Sequence, residues 1–303
     1  MPTDKQIKFY QKTKGKLALL KTSNTKQVIR CNSCKRIYTQ KGKAARAIPC
    51  IRCEKIKQKY SMQKHQLKFA RKLYEEFGFS FEQIAFLFET PNRRIKDLHK
   101  INNWKNKKGI KEMTVLSMDP GTQNFGLTVS KLSGNGYLKK ITPLHSRLVI
   151  NTVQGINKNS PVSNLDFLLQ EVNRLISEFK PEMVIIERYQ SRGFSSSNNE
   201  IINLTIGYLL YQLRFNPIVK LGKLLPPSTW KNKVNQIFDL KEAYKEAEKY
   251  IAIHQLDCTL MSMYLFNNNK NPYLSLKSKA ARTRLYKAIQ QKTWQIGHTD
   301  GPA

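Results

Sequence analysis

The sequence predicts a mixed α/β domain behind a smaller module of different composition, and three observations carry that reading. From residue 113 onward, short apolar runs of strand type are interleaved with a run of helical spacing. Four cysteines stand in two close pairs before residue 54. Positive charge is concentrated at the front: residues 1 to 112 hold 29 Lys and Arg against 8 Asp and Glu, about two thirds of the net charge of +32.

A balance this one-sided, with pI near 10.0, points to a polyanionic partner, because such a field attracts nucleic acid by counterion release and steering. Solubility alone seldom needs it. The 40% hydrophobic content of 303 residues suffices for one large domain with small modules attached. No run of about 18 apolar residues and no signal-peptide apolar segment is present, so neither a membrane partner nor secretion is expected.

Residues 1–29 form a basic amino-terminal segment. Cys31, Cys34, Cys50 and Cys53 follow as C-x2-C-x15-C-x2-C. Each C-x-x-C turn offers two thiolates to one tetrahedral ion, so residues 30–60 read as a zinc ribbon with a structural Zn2+. In an intracellular chain this reading outweighs disulfides. Cys258 stands apart in an apolar run and reads as a buried small residue.

Residues 66–104 have helical spacing: Leu67, Ala70, Leu73 and Tyr74, then Phe81, Ile84, Ala85 and Leu87. Ser80 with Gln83 suits an N-cap, and Thr90-Pro91 breaks the pattern before a third helix from Asn92 to about Lys100. The order resembles a helix-turn-helix whose last helix exposes Arg93, Arg94 and Lys96 to a DNA groove or backbone. A three-helix bundle with a basic surface reads the same way. Residues 105–112 are polar and basic and read as a linker.

Strands follow at Met113–Met118, Phe125–Leu132 and Arg147–Val153. Leu165, Leu168, Leu169, Val172, Leu175, Ile176 and Phe179 mark a helix that packs on the sheet, ended by Pro181. Met183–Ile186 is a wholly apolar strand, and the run Leu240–Phe266 reads as one long helix. Strands, a helix and a buried strand make a mixed α/β layer.

Asp119 ends the first of these strands and Glu187 follows the buried one. If the two strands are neighbours, both acids project from one rim, and repelling carboxylates persist there mainly around a cation. Oxygen ligands of this kind suit Mg2+ or Mn2+. His254 and Asp257 lie three residues apart, on one helical face, within reach of the same ion.

These residues carry a resemblance. Met118-Asp119-Pro120-Gly121-Thr122-Gln123-Asn124-Phe125-Gly126 resembles the first motif of RuvC-type Holliday junction resolvases, Val184-Ile185-Ile186-Glu187-Arg188-Tyr189-Gln190 the second, and His254-Gln255-Leu256-Asp257 the closing pair of metal ligands. Leu225-Pro226-Pro227-Ser228-Thr229-Trp230-Lys231 resembles the segment before the family's final helix. The resemblance covers residues 113–266 and implies an RNase H-like fold and a Mg2+-dependent endodeoxyribonuclease. Its implied metal ligands are Asp119, Glu187, His254 and Asp257, and dimerisation is implied as well. His254 stands where many relatives carry Asp, and Cys258 where a small Ala is usual.

Gln190, Arg192, Lys231 and Lys233 are further candidates for DNA contact, and Lys231 and Lys233 flank Trp230 closely enough for base stacking to be considered. Residues 267–303 read as a basic carboxy-terminal tail, with a basic helix within Lys277–Lys292. The expected function is resolution of four-way DNA junctions in recombination and repair, by two-metal hydrolysis of a phosphodiester. The cell interior of a prokaryote or phage-infected cell, or an organelle, is the expected setting. Two alternatives stand beside it: a transcription or replication factor using the fold as a scaffold, and a transposon-type RuvC nuclease related to RNA-guided effectors.

Overall fold

The computed structural model describes residues 17–22, 26–31, 37–41, 62, 64–105, 111–121, 124–150, 163–188, 197–267 and 270–293. They divide into two compact units: the chain to Glu75 with Ile84–Asn106, and Glu76–Gln83 with the chain from Lys107 onward.

In the first unit, β1 (Leu17–Thr22), β2 (Lys26–Cys31) and β3 (Ile37–Lys41) form an antiparallel sheet in sequence order. Cys31 ends β2 and is buried; Cys34, Cys50 and Cys53, the rest of the expected zinc ribbon, lie outside the described residues. Helices α1 (Lys64–Glu75), α2 (Phe81–Leu87) and α3 (Asn92–Asn102) follow, with Phe81–Gln83 of α2 and the Ser80 before it counted in the second unit. Of the apolar spacing read from the sequence, Ala70, Leu73, Ile84, Ala85 and Leu87 are buried, as are Phe69 and Ile95, while Leu67, Tyr74 and Phe81 are half-buried. Ser80 and Gln83 close a reciprocal cap, with Ser80 N donating to Gln83 Oε1 at 2.7 Å and Gln83 N to Ser80 Oγ at 3.2 Å. Pro91 sits immediately before α3, where its fixed φ suits a helix start.

The second unit is built on β4 (Lys111–Asp119), β5 (Asn124–Gly134), β6 (Leu138–Ile150), β7 (Met183–Glu187) and β8 (Leu221–Leu225) in the order β6-β5-β4-β7-β8. The first three form an antiparallel meander, and β7 and β8 run parallel to β4. The mixed α/β sheet expected from the sequence is thus formed. Helix α4 (Ser163–Phe179) makes the crossover to β7, and α5 (Ser197–Phe215) the crossover to β8. Both cover one sheet face, where Leu116, Met118, Leu127, Val172, Ile186 and Ile206 share a core.

The other face receives α8 (Ile253–Tyr264), reached through α6 (Pro227–Asn235) and α7 (Leu240–Ala247). The expected single helix over Leu240–Phe266 is thus two. The break falls at Ala252, whose extended backbone restarts the helix while its N–H donates to Gln255 Oε1 at 3.1 Å. A short 3-10 turn, Leu274–Leu276, and α9 (Lys279–Gln290) complete the unit. Thr293 bridges to Ser146 on the edge strand. Among the described residues no helix is long and apolar enough to cross a membrane.

β6 is longer than its sequence suggests, because Lys139, Lys140 and Pro143 interrupt the apolar pattern at a sheet edge that tolerates them. It is tied to α4 by a buried charge cluster. Arg147 Nη1 meets Glu171 Oε2 at 2.9 Å, Arg174 donates to both Glu171 oxygens at 2.9 Å, and His145 Nε2 lies 3.6 Å from Oε1. Burial pushes the Glu171 carboxyl up, but hydrogen bonds from Arg174, His145 and Arg147 and the charge of Arg147 outweigh it and hold it well below the carboxylate range. A depressed carboxyl stabilises the fold above the ordinary range and loses that contribution as pH falls toward its lowered value. Glu171→Gln, which removes the negative charge facing buried Arg147, is expected to lower unfolding free energy at pH 7 by about 3 kcal/mol. Urea titrations should show that gap narrowing at pH 3.

Candidate metal centre

Side-chain parity decides which way the acids point. Leu116 and Met118 of β4 and Val184 and Ile186 of β7 enter the core under α4 and α5. Asp119 and Glu187, one residue on, therefore face the side covered by α8. Met118 is paired with Ile186, so the two parallel strands end level and their acids leave from adjacent points of one rim. Asp257, one turn inside α8, comes down from above.

Oxygens of Asp119, Glu187 and Asp257 lie within 4.8 Å of one another, and all three side chains are buried. Burial and the neighbouring Asp119 charge push both Glu187 and Asp257 above the carboxylate range, although Lys231 works against the rise. Among the described residues, Oε2 of Glu187 is buried without a hydrogen-bond partner. A buried, partnerless carboxylate oxygen beside two more acids is costly unless a cation occupies the space. The donor set, all oxygen, fits Mg2+ or Mn2+.

Two basic side chains approach the cluster. His254 Nδ1 is 2.6 Å from Asp119 Oδ2, and that hydrogen bond raises the imidazole's pKa against the effect of burial. Lys231 Nζ lies 3.1 Å from Asp257 Oδ2 and 3.6 Å from Glu187 Oε1. Burial lowers its affinity for a proton, but the Asp257 and Glu187 charges outweigh this and raise it. Lys231, read from the sequence as a DNA contact, points its ammonium into the acids here. Trp230 is 0% exposed, so a base has no access to its ring.

Sequence reasoning missed Tyr244, whose hydroxyl donates to Asp257 Oδ1 at 2.8 Å. Its position in an amphipathic helix gave no signal, because the contact exists only once α7 folds back over α8. The close seat of α8 was also hidden. Gly126, Thr128 and Ser117 are the small residues beneath it: Ser117 Oγ and Ser262 Oγ are 2.6 Å apart, and Thr128 Oγ1 donates to the Gln255 carbonyl at 3.4 Å. A Cβ at Gly126 would come within 2.6 Å of the His254 carbonyl oxygen.

The remaining candidates lie elsewhere. In the first unit, Arg93 and Lys96 are exposed on α3, while Arg94 is half-buried with Nη1 donating to Thr90 Oγ1 at 3.1 Å. Lys233 is half-buried on α6. Gln190 and Arg192 lie outside the described residues.

No protein-family model matches the chain, and no curated protein matches it. Among solved structures it is similar to RuvC of Thermus thermophilus, at 19% identity over 57% of this chain and 96% of that one, with a TM-score of 0.37. The yeast mitochondrial Holliday junction resolvase gives 14%, 76% and 95%, with a TM-score of 0.30. The Ppx/GppA enzyme of Aquifex aeolicus gives 16%, 40% and 38%, with a TM-score of 0.26.

Gly126→Ala tests the seat of α8. The methyl group must push the helix off β5, and a loss of about 1 to 3 kcal/mol in chemical unfolding is expected from the overpacking.

Proposed function

We propose that this protein is a metal-dependent DNA endonuclease whose substrate is branched DNA, with four-way junctions the best fit. The observation that carries the reading is the buried trio of Asp119, Glu187 and Asp257 with oxygens within 4.8 Å of one another. A scaffold has no physical use for three buried, mutually repelling acids. The net charge of +32 supplies the attraction for a polyanionic substrate.

In this reading Asp119, Glu187 and Asp257 hold Mg2+ or Mn2+, with His254 as a fourth ligand once its hydrogen bond to Asp119 is given up. When bound, such ions neutralise charge on a phosphodiester and make water a better nucleophile. Lys231 balances the acids in their absence and turns to the substrate's phosphates when they are present. Burial of the trio excludes bulk water, which strengthens each charge interaction there.

The first unit supports duplex affinity in the same reading. Arg93, Lys96 and Lys100 are exposed at one-turn spacing along α3 and suit a phosphate backbone. The cysteines Cys31, Cys34, Cys50 and Cys53 hold a structural zinc, and elemental analysis of protein purified without chelator should return one zinc per chain. A homodimer, which would set two active sites on symmetric strands of a junction, is supported by α5. Leu204, Tyr208, Tyr211 and Phe215 are all exposed on one side of that helix. Tyr211→Glu should shift the sedimenting species from dimer to monomer.

The central test compares wild type with Asp119→Asn on labelled four-way junctions and linear duplex in Mg2+. Wild type should cut the junction, and the variant should lose at least about 100-fold in rate while still binding DNA. If wild type binds tightly and cuts neither substrate, the reading of a DNA-binding factor on a nuclease scaffold takes its place.

A further inference from the structure

The carboxy-terminal helix lies outside the segment that resembles a nuclease, yet its side chains reach toward the metal centre through one intermediary. Arg282 of α9 forks onto Glu246 of α7, Nε to Oε2 at 2.9 Å and Nη2 to Oε1 at 3.0 Å. Its Nη1 also donates to the Lys277 carbonyl at 3.1 Å, so one buried guanidinium joins α7, α9 and the turn that leads into α9. Tyr286 Oη, on the same helix, donates to the Ala243 carbonyl at 3.2 Å.

α7 is pinned at its start as well. Asp239 Oδ1 accepts from Lys241 N at 2.8 Å, and Asn235 Oδ1 accepts from Leu240 N at 3.2 Å. Tyr244 and Glu246, two residues apart, project from opposite sides of the helix. Fixing Glu246 on one side therefore fixes Tyr244 on the other. Its hydroxyl occupies Oδ1 of Asp257 and leaves Oδ2 facing Lys231.

We propose that Tyr244 is a positioning residue for the metal centre, orienting Asp257 by its hydrogen bond, and that α9 sets Tyr244 in place through the Arg282–Glu246 fork. The inference rests on reading Asp119, Glu187 and Asp257 as that centre. It makes the basic carboxy-terminal helix part of the site's support rather than an appendage. Partners that orient a metal's ligands commonly matter about 10- to 100-fold in affinity.

The test is Mn2+ affinity by isothermal titration calorimetry on the full chain, independent of cleavage. Tyr244→Phe keeps the ring and should weaken Mn2+ binding about 10-fold with circular dichroism and thermal midpoint unchanged. Arg282→Lys, which loses the fork, should weaken it less, and should add little on top of Tyr244→Phe. Asp257→Asn should lose binding, and the double variant Tyr244→Phe/Asp257→Asn should match Asp257→Asn alone, as a residue acting through Asp257 requires. Wild-type affinity in Tyr244→Phe, with Asp257→Asn impaired, overturns the positioning role. So does a Tyr244→Phe protein that loses Mn2+ only by unfolding. Wild-type affinity in Asp257→Asn overturns the metal centre itself, and the positioning role with it.

Discussion

The close seating of α8 against β4 and β5 is the constraint on which the rest of the second unit depends. A helix packed on a sheet through large side chains stands well off the backbone. Here Gly126, Ser117 and Thr128 line its path, and the backbone of His254 approaches the space where a Gly126 side chain would be. That approach is what brings an acid on a helix into reach of acids at two strand ends. It also leaves α8 buried on every side from Gln255 to Met263, so its polar groups find partners within the fold: Ser262 with Ser117, and the Gln255 amide with Ser146 and Thr293.

Electrostatics then works against the packing that hydrophobic burial provides. Three carboxylates are drawn into a space that water would otherwise screen, with two basic side chains, His254 and Lys231, set against them. Ordinary cores avoid this arrangement, because desolvating acids side by side raises their free energy. The surrounding structure sustains it through links that run far from the acids: α7 over α8, α9 over α7, and the edge strand β6 tied to α4 by the Glu171 cluster.

Much of this was legible before any coordinates. Asp119 and Glu187 each end an apolar strand run, and the ordered motifs around them, with His254 and Asp257, are local and chemically distinctive. The capping box at Ser80 and the break at Thr90-Pro91 were legible for the same reason: a side chain there acts on backbone within one turn. Lys231 and Tyr244 were not. Lys231 sits in a basic sequence that reads as a surface for phosphate, and Tyr244 in a helix whose polar and apolar residues alternate unremarkably. Their roles come from partners 26 and 13 residues away along the chain, Asp257 in both cases. The single helix expected over Leu240–Phe266 failed on a similar ground, since apolar spacing continues across Ala252 while the backbone does not.

By itself, the sequence determined the α/β class, the acids at strand ends, the basic front and the cysteine pattern, because each depends on residue type and short-range spacing. Tertiary structure alone decided that β7 lies beside β4 with their ends level, that α8 descends close enough to add Asp257, and which basic groups face the acids. Those are distances between segments remote in sequence, set by the parity of the strands and the small residues under α8, and no local pattern encodes them.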